Sequence, residues 1–186
     1  MIDENSTLED VCYAVARALS EIDSDVVLTG GSAAEIYAPG FYTSLDADFV
    51  FRKTPRKNAL EDALARIGFT KAASTGMFVH AKTSYTLDFP RGPLAVGGDY
   101  VTVTQKLKRG DITLQILTST DCVRDRLAHF YFWDDYTALA AAVAVTQLQG
   151  NGIDQETIRE WTERESRKNN ADYTHKLTEY RKRCGA

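Results

Sequence analysis

Cysteine, proline, methionine, tryptophan and histidine are all scarce in this chain of 186 residues: three Cys, four Pro, two Met, two Trp and three His. Cys12, Cys122 and Cys184 stand far apart with no paired spacing, which argues against a zinc site or a disulfide framework and predicts reduced thiols. His80, His129 and His175 share no spacing either and read as structural residues. No apolar run approaches the ~20 residues that a membrane span needs. No charged-then-apolar leader opens the sequence, so the expectation is a cytoplasmic protein without a membrane partner. Repeats and low-complexity tracts are also missing.

Positive charge is in deficit: 22 Lys and Arg against 26 Asp and Glu give a net charge of −4, with a pI of about 5.4. Bulk charge therefore does not recruit nucleic acid, and an RNA substrate would need a local basic patch. The imbalance is uneven. Residues 165–186 carry six Lys or Arg against three Asp or Glu, whereas residues 1–25 carry seven acids and one base. A basic tail of this kind either seats a partner or is a solvated helix. Hydrophobic residues make up 44% of the chain, enough to build one core.

The chain is organised around Val26-Val27-Leu28-Thr29-Gly30-Gly31-Ser32 and, thirteen residues on, Leu45-Asp46-Ala47-Asp48-Phe49-Val50. The first stretch reads as a buried strand stopped by two glycines that permit a sharp turn. Ser32 is expected as N-cap of the helix that follows. A glycine turn entering a helix presents free N–H groups and the positive end of a dipole, a setting that suits phosphate. Gly30, Gly31 and Ser32 are thus candidate phosphate ligands. Asp46 and Asp48 are two apart on a strand and project from one face, while Leu45, Ala47, Phe49 and Phe51 take the other. Two adjacent carboxylates repel unless a cation or proton lies between them, and a hard divalent ion such as Mg²⁺ satisfies both. A third carboxylate, Asp88, is a lone charge in the apolar run Tyr85-Thr86-Leu87-Asp88-Phe89. It either completes a three-carboxylate metal site or fixes the turn before Pro90. Asp111 is a rival, but Gly110-Asp111 carries ordinary turn chemistry.

Gly-Gly-Ser followed by Asp-Ala-Asp resembles the signature of the DNA-polymerase-β-like nucleotidyltransferase superfamily. The runs Leu87-Asp88-Phe89-Pro90-Arg91-Gly92-Pro93-Leu94-Ala95-Val96-Gly97 and Thr120-Asp121-Cys122-Val123-Arg124-Asp125-Arg126-Leu127 look like a compact branch related to AbiEii-type (type IV toxin) and MenT-like proteins. The resemblance spans about residues 25 to 145. It implies an NTP substrate, two Mg²⁺ ions held by Asp46, Asp48 and Asp88, and a tRNA or protein acceptor, with an antitoxin as possible partner. It also implies a phosphate contact from Arg126, which stands where relatives carry lysine. Arginine keeps the charge and gains a fork. Asp135 matches the aspartate of the family's Lys-Asp pair, but Asp134 replaces the lysine, so Asp135 reads as a helix cap first.

The remaining pattern predicts helices over residues 7–22, capped by Ser6 with Glu9. It predicts another from Thr54-Pro55 to Gly68, one from Thr118 to about Trp133, one capped at Asp134-Asp135 and one capped by Asp154. Strands are expected at Met77–Ala81, Tyr85–Phe89, Tyr100–Leu107 and Ile112–Leu117. Gln147 to Gly152 reads as a turn, and Arg164 to Arg183 as a helix-prone polar tail. Pro39 to Ser44 forms a loop whose aromatics either touch a ligand or pack. The fold class is α/β (α+β): a mixed, mostly antiparallel sheet flanked by helices. Residues 1–118 form the nucleotidyltransferase core, and residues 119–186 a helical part packed on it. The expected function is Mg²⁺-dependent transfer of an NMP from an NTP to an acceptor. The alternative is a catalytically silent nucleotide-binding or antitoxin-like module of the same fold.

Overall fold

A capping box sets the first element. In the computed structural model, which describes residues 2–56 and 58–185, helix α1 runs Leu8–Ser20. Its box is formed by Thr7 and Asp10, one position beyond the Ser6–Glu9 pair expected from spacing. Arg109 holds both acids of this turn, Asp10 at 2.6 Å and Glu9 at 3.0 Å. Ser6 instead accepts from the Asp3 N–H in its own turn. The strip Leu8, Val11, Cys12, Val15 and Leu19 is fully covered, as the three-and-four spacing requires.

Strand β1 (Asp25–Thr29) leads directly into α2 (Gly30–Tyr37), and β2 (Asp46–Lys53) follows a loop. The helix begins three residues earlier than expected. Thr29 is its N-cap residue, and Ser32 lies in its first turn with its hydroxyl turned back to donate to the Thr29 carbonyl at 2.9 Å. Helix α3 covers Ala59–Arg66 and starts after Asn58 at φ +68°, not at Thr54-Pro55. Gly68, at φ +92°, follows its end, as expected for a glycine past a helix terminus.

Strands β3 (Phe69–Lys71), β4 (Phe78–His80) and β5 (Thr83–Asp88) come next, then a small hairpin of β6 (Ala95–Val96) and β7 (Asp99–Tyr100), then β8 (Gln105–Arg109) and β9 (Ile112–Ile116). The single strand expected over Tyr100–Leu107 is divided between two sheets, because Tyr100 pairs with Ala95 and Gln105 pairs with Ile116. Seven strands make one sheet in the order β3-β4-β5-β2-β1-β9-β8. The β2–β5 and β1–β9 pairs are parallel; the other four are antiparallel. Val26, Val27 and Leu28 are all buried, so the middle of the sheet is covered on both faces.

The rest of the chain is helical: α4 (Ser119–Trp133), α5 (Tyr136–Gln149), a short 3₁₀ turn over Gly150–Gly152, α6 (Gln155–Lys168) and α7 (Thr174–Cys184). Helix α5 thus continues three residues into the expected turn, and the polar tail divides into two helices at Asn169–Tyr173. Asp135 and Asp154 cap α5 and α6 through pairs of backbone N–H groups. Helices α4 and α5 pack on α2, which joins them to the sheet. The fully buried Trp161 of α6 and Tyr180 of α7 anchor the last layer. No helix among the described residues is long and apolar enough to cross a membrane.

The β6–β7 hairpin is fastened to this layer by charge. Glu165, buried on α6, accepts from the Gly98 N–H at 2.8 Å. Asp99 takes the guanidinium groups of Arg124 at 2.9 Å and Arg164 at 2.8 Å.

Candidate active site

Register places the carboxylates. Asp46 opens β2, and Asp48 lies two residues on, between Thr29 of β1 and Asp88 of β5 as its register partners. Asp46 is paired with Thr86, so Asp46, Asp48 and Asp88 all lie on one face of the β2–β5 ladder. The other face carries Ala47, Phe49 and Leu87, each fully buried. Leu45, expected in the core, is exposed instead, since it precedes the strand.

The glycine bend closes on this acidic face. Gly30 has φ +70°, and a Cβ built on it would overlap the Asp48 carboxylate oxygen Oδ2. Both observations require glycine. The Thr29 hydroxyl also donates to the Asp48 carbonyl at 3.3 Å. Gly31 is crowded from the other side, where a Cβ would meet the hydroxyls of Tyr42 and Ser44 at 2.9 Å each. Ser44 is fixed by donating its N–H to Glu35 Oε2 at 2.6 Å and its hydroxyl to the Asp46 carbonyl at 3.0 Å. The loop after α2 therefore brings Tyr42 up to the bend.

Crowding and burial push the Asp48 carboxyl up to about 6, burial contributing most and the charges of Asp46 and Asp88 adding to it. Arg126 opposes the rise, and Asp125 reinforces it. The guanidinium of Arg126 is buried and donates through Nε and Nη2 to Asp125 Oδ2 at 3.1 and 2.7 Å. Burial works against its charge, but Asp125 outweighs burial and keeps it cationic. The three adjacent charged residues of α4 fan apart as helical geometry demands. Arg124 turns away to Asp121 and Asp99, while Asp125 and Arg126 lie close enough to Asp48 to act on its titration. Asp88 Oδ1 accepts from the Phe89 N–H at 2.8 Å.

Of two further carboxylates, one is placed elsewhere and the other is committed to a helix cap beside the site. Asp111 is an exposed turn residue between β8 and β9, at the far edge of the sheet. Asp135 spends Oδ1 on the Thr137 and Ala138 N–H groups, which hold its carboxyl below the usual range against the opposing effect of burial. Sequence reasoning singled out neither Tyr42 nor His129 nor Asp125. Tyr42 is half-buried and lies in the fields of Arg126, Asp135 and Asp46. His129, one turn beyond Asp125 on α4, is pushed down by burial and then by Arg126. Its ring is 5.1 Å from that of Trp133. Only the aromatic loop at 39–44 offered a signal for any of these.

Among the described residues, no three His, Cys, Asp or Glu side chains converge as a ready-made metal site. The donor set on the acidic face still has the chemistry of a hard-cation site: three carboxylates, one of them raised by burial and then by the charge of the other two. A cavity of about 860 Å³ beyond the end of β5 has Asp88 in its lining, with Phe51, Phe78 and Phe89, and includes neither Asp46 nor Asp48. A second, of about 1010 Å³, is lined by residues of α1 and α3 and by Arg109, and includes none of the three carboxylates.

No protein-family model matches the chain, and no curated protein sequence matches it. Among solved structures it is similar to an antigenic nucleotidyltransferase-like protein from Paracoccidioides brasiliensis, with a TM-score of 0.59, 15% identity and 78% of each chain covered. The fold is that of the nucleotidyltransferases. A weaker likeness, TM-score 0.46 at 13% identity, joins 80% of this chain to 86% of the antibiotic-resistance factor ANT(2'')-Ia. On the nucleotidyltransferase fold described here, the strand-borne carboxylates Asp46, Asp48 and Asp88 and the Gly30 bend are brought together from β2, β5 and the β1–α2 junction.

Proposed function

We propose that the protein is an NTP-dependent nucleotidyltransferase that transfers an NMP to an acceptor hydroxyl. The observation that carries this reading is the register pair Asp48–Asp88, with Asp46 on the same face and the Gly30 bend directly against Asp48. Asp46, Asp48 and Asp88 would hold Mg²⁺, two ions in all. Bound there, magnesium supplies charge neutralisation at the triphosphate and makes the attacking hydroxyl more acidic.

The chain's own groups do the rest. The first-turn N–H groups of Gly30, Gly31 and Ser32 hold the β- and γ-phosphates at the helix N-terminus. The Ser32 hydroxyl braces the bend through Thr29. Arg126 offsets charge that grows on the departing pyrophosphate, and Asp125 holds its fork in place. Asp88 accepts the proton from the acceptor hydroxyl. Residues 1–118 then supply the carboxylates and the phosphate bend, and residues 119–186 supply Arg126.

The likeness of the Leu87–Gly97 and Thr120–Leu127 runs to AbiEii and MenT-like proteins supports a tRNA or protein acceptor. It also supports a toxin-like role under the control of an antitoxin. The test is incubation with each labelled NTP, Mg²⁺, total RNA and cell extract, beside an Asp46→Asn, Asp48→Asn protein. Pyrophosphate release and label in one defined species, with the wild type alone, is the expected result. Equal labelling by the double variant overturns the reading.

A further inference from the structure

The phenylalanine wall of the cavity beyond the end of β5 lies on the far face of the β2–β5 ladder from the carboxylates. Side chains alternate along a strand, so Phe89, next after Asp88, falls on the side of Phe49 and Phe51. Its ring stacks on theirs, with centroids 5.8 and 5.4 Å apart, and meets Phe78 edge-on at 5.6 Å. Phe51, Phe78 and Phe89 wall the 860 Å³ cavity; Asp46, Asp48 and Arg126 are not part of it. We propose that this cavity is a ligand site separate from the candidate active site, and that it takes an aromatic acid, a flat apolar ring bearing a carboxylate. The inference does not rest on the transferase reading.

Packing leaves the wall open to a ring. Phe78 is buried, but Phe51 and Phe89 are only partly covered by the rest of the chain. Leu60 of α3 and Val101 add to the apolar lining, and Tyr100 contributes a ring that is 74% exposed. Aromatic rings favour offset or edge-on contact with one another, and the Phe51–Phe89–Phe78 group already shows both arrangements. Phenylalanine and leucine side chains give the edge of a nucleobase nothing to bond, and polar atoms left unpaired against them are costly. The ring that fits is therefore a hydrocarbon. The volume falls within the range of small-molecule sites, which combine an apolar lining with a few charged groups.

Charge selects the carboxylate. Arg52, Lys71 and Arg91 line the same cavity. Arg52 donates to neutral oxygens, the Thr102 carbonyl at 3.3 Å and the Thr104 hydroxyl at 3.5 Å, so its charge is uncompensated there. Lys71 Nζ is 5.9 Å from the centroid of the Phe78 ring, which places a cation beside the aromatic wall. Its pair with Glu61, at 3.3 Å, is more than half exposed on both sides and yields readily to another anion. Arg91 is exposed. Asp88 is the one acid of the lining; it belongs to the opposite face of the ladder, and its Oδ1 accepts from the Phe89 N–H at 2.8 Å. A guanidinium holds a carboxylate through two parallel N–H bonds, whereas a cationic ring would meet three like charges.

Calorimetry on the full chain tests this. The ligands are 2-naphthoate, the neutral 2-naphthalenemethanol, the cationic 2-naphthylmethylamine, octanoate and AMP. 2-Naphthoate is expected to bind at one site, about tenfold tighter than each of the others. Arg52→Ala with Arg91→Ala should weaken it about tenfold, and Tyr100→Ala severalfold. Arg52→Lys with Arg91→Lys keeps the charge and should recover most of the affinity, which separates lost charge from lost folding. The Asp46→Asn, Asp48→Asn protein should bind 2-naphthoate within about twofold of wild type. Five results overturn the proposal: no binding of 2-naphthoate, a neutral or cationic ring held as tightly, octanoate or AMP held as tightly, an affinity unchanged by the arginine-to-alanine variants, or an affinity lost with the two carboxylates. Mg²⁺–NTP binding by the wild type, measured separately, decides the transferase reading whichever way these titrations fall.

Discussion

Gly30 and Asp48 are in mutual contact: the bend that ends β1 lies directly against the carboxylate at the centre of the acidic face. Gly30→Ala therefore meets two penalties, the left-handed φ of +70° and overlap with Asp48 Oδ2. The expected cost is about 1–3 kcal/mol by urea denaturation. A loss of pyrophosphate release larger than the stability loss explains is also expected. An Ala variant of full stability and full activity would show that the contact is not needed.

Asp48 makes metal-free stability depend on pH. Its carboxyl is raised from 3.8 in the free residue to about 6 in the folded protein. The folded state thus binds the proton more tightly than the unfolded chain, and stability rises as pH falls from above 6 towards 4. Above pH 6 the charged form is a standing cost of about 2 kcal/mol, after discount for its partial exposure. In EDTA at pH 8, Asp48→Asn should be more stable than wild type by about that amount, and the gain should shrink towards zero near pH 4. Mg²⁺ should raise the melting temperature of the wild type at pH 8 and leave Asp48→Asn little changed.

Arg126 and Asp125 are a buried pair, so removing one strands the other. Arg126→Ala should destabilise by about 3 kcal/mol. Arg126→Lys keeps the charge, loses the two-pronged hold on Asp125 Oδ2 and should fold near-normally. Its kcat for pyrophosphate release should fall about tenfold with Mg²⁺–NTP affinity reduced less. A lysine variant with unaltered kcat would remove Arg126 from the chemistry.

The Glu165 carboxylate is the acceptor for the Gly98 N–H. Glu165→Ala should cost about 1–3 kcal/mol, because a part-buried donor loses its partner. Limited proteolysis should then cut near Gly97-Gly98, and the wild type should be cut there more slowly.

Much of the acidic face was legible because strands repeat every two residues. Asp46 and Asp48 had to share a face, and a lone Asp88 in an apolar run pointed to a neighbouring strand. The register that sets Asp88 opposite Asp48 was not legible, since 29 residues separate the end of β2 from the start of β5 and no local pattern encodes that pairing. Tyr42, Asp125 and His129 come from a loop and a helix that meet the site only through tertiary packing. Helix starts were misjudged where two caps compete. Thr7–Asp10 forms the box in place of Ser6–Glu9, and the Ser6 hydroxyl is taken by the Asp3 N–H. The strand expected at Tyr100–Leu107 failed for a related reason: its first residue is claimed by the β6–β7 hairpin and its last by the main sheet.

That hairpin has a mechanical consequence. The segment from Phe89 to Val101 leaves the carboxylate strand, forms one side of the cavity, and is riveted at Gly98 and Asp99 to side chains of α4 and α6. Loosening of the C-terminal helices is thereby transmitted to the neighbourhood of Asp88. A protein or ligand that grips α6 has a lever on that wall of the cavity without ever entering it.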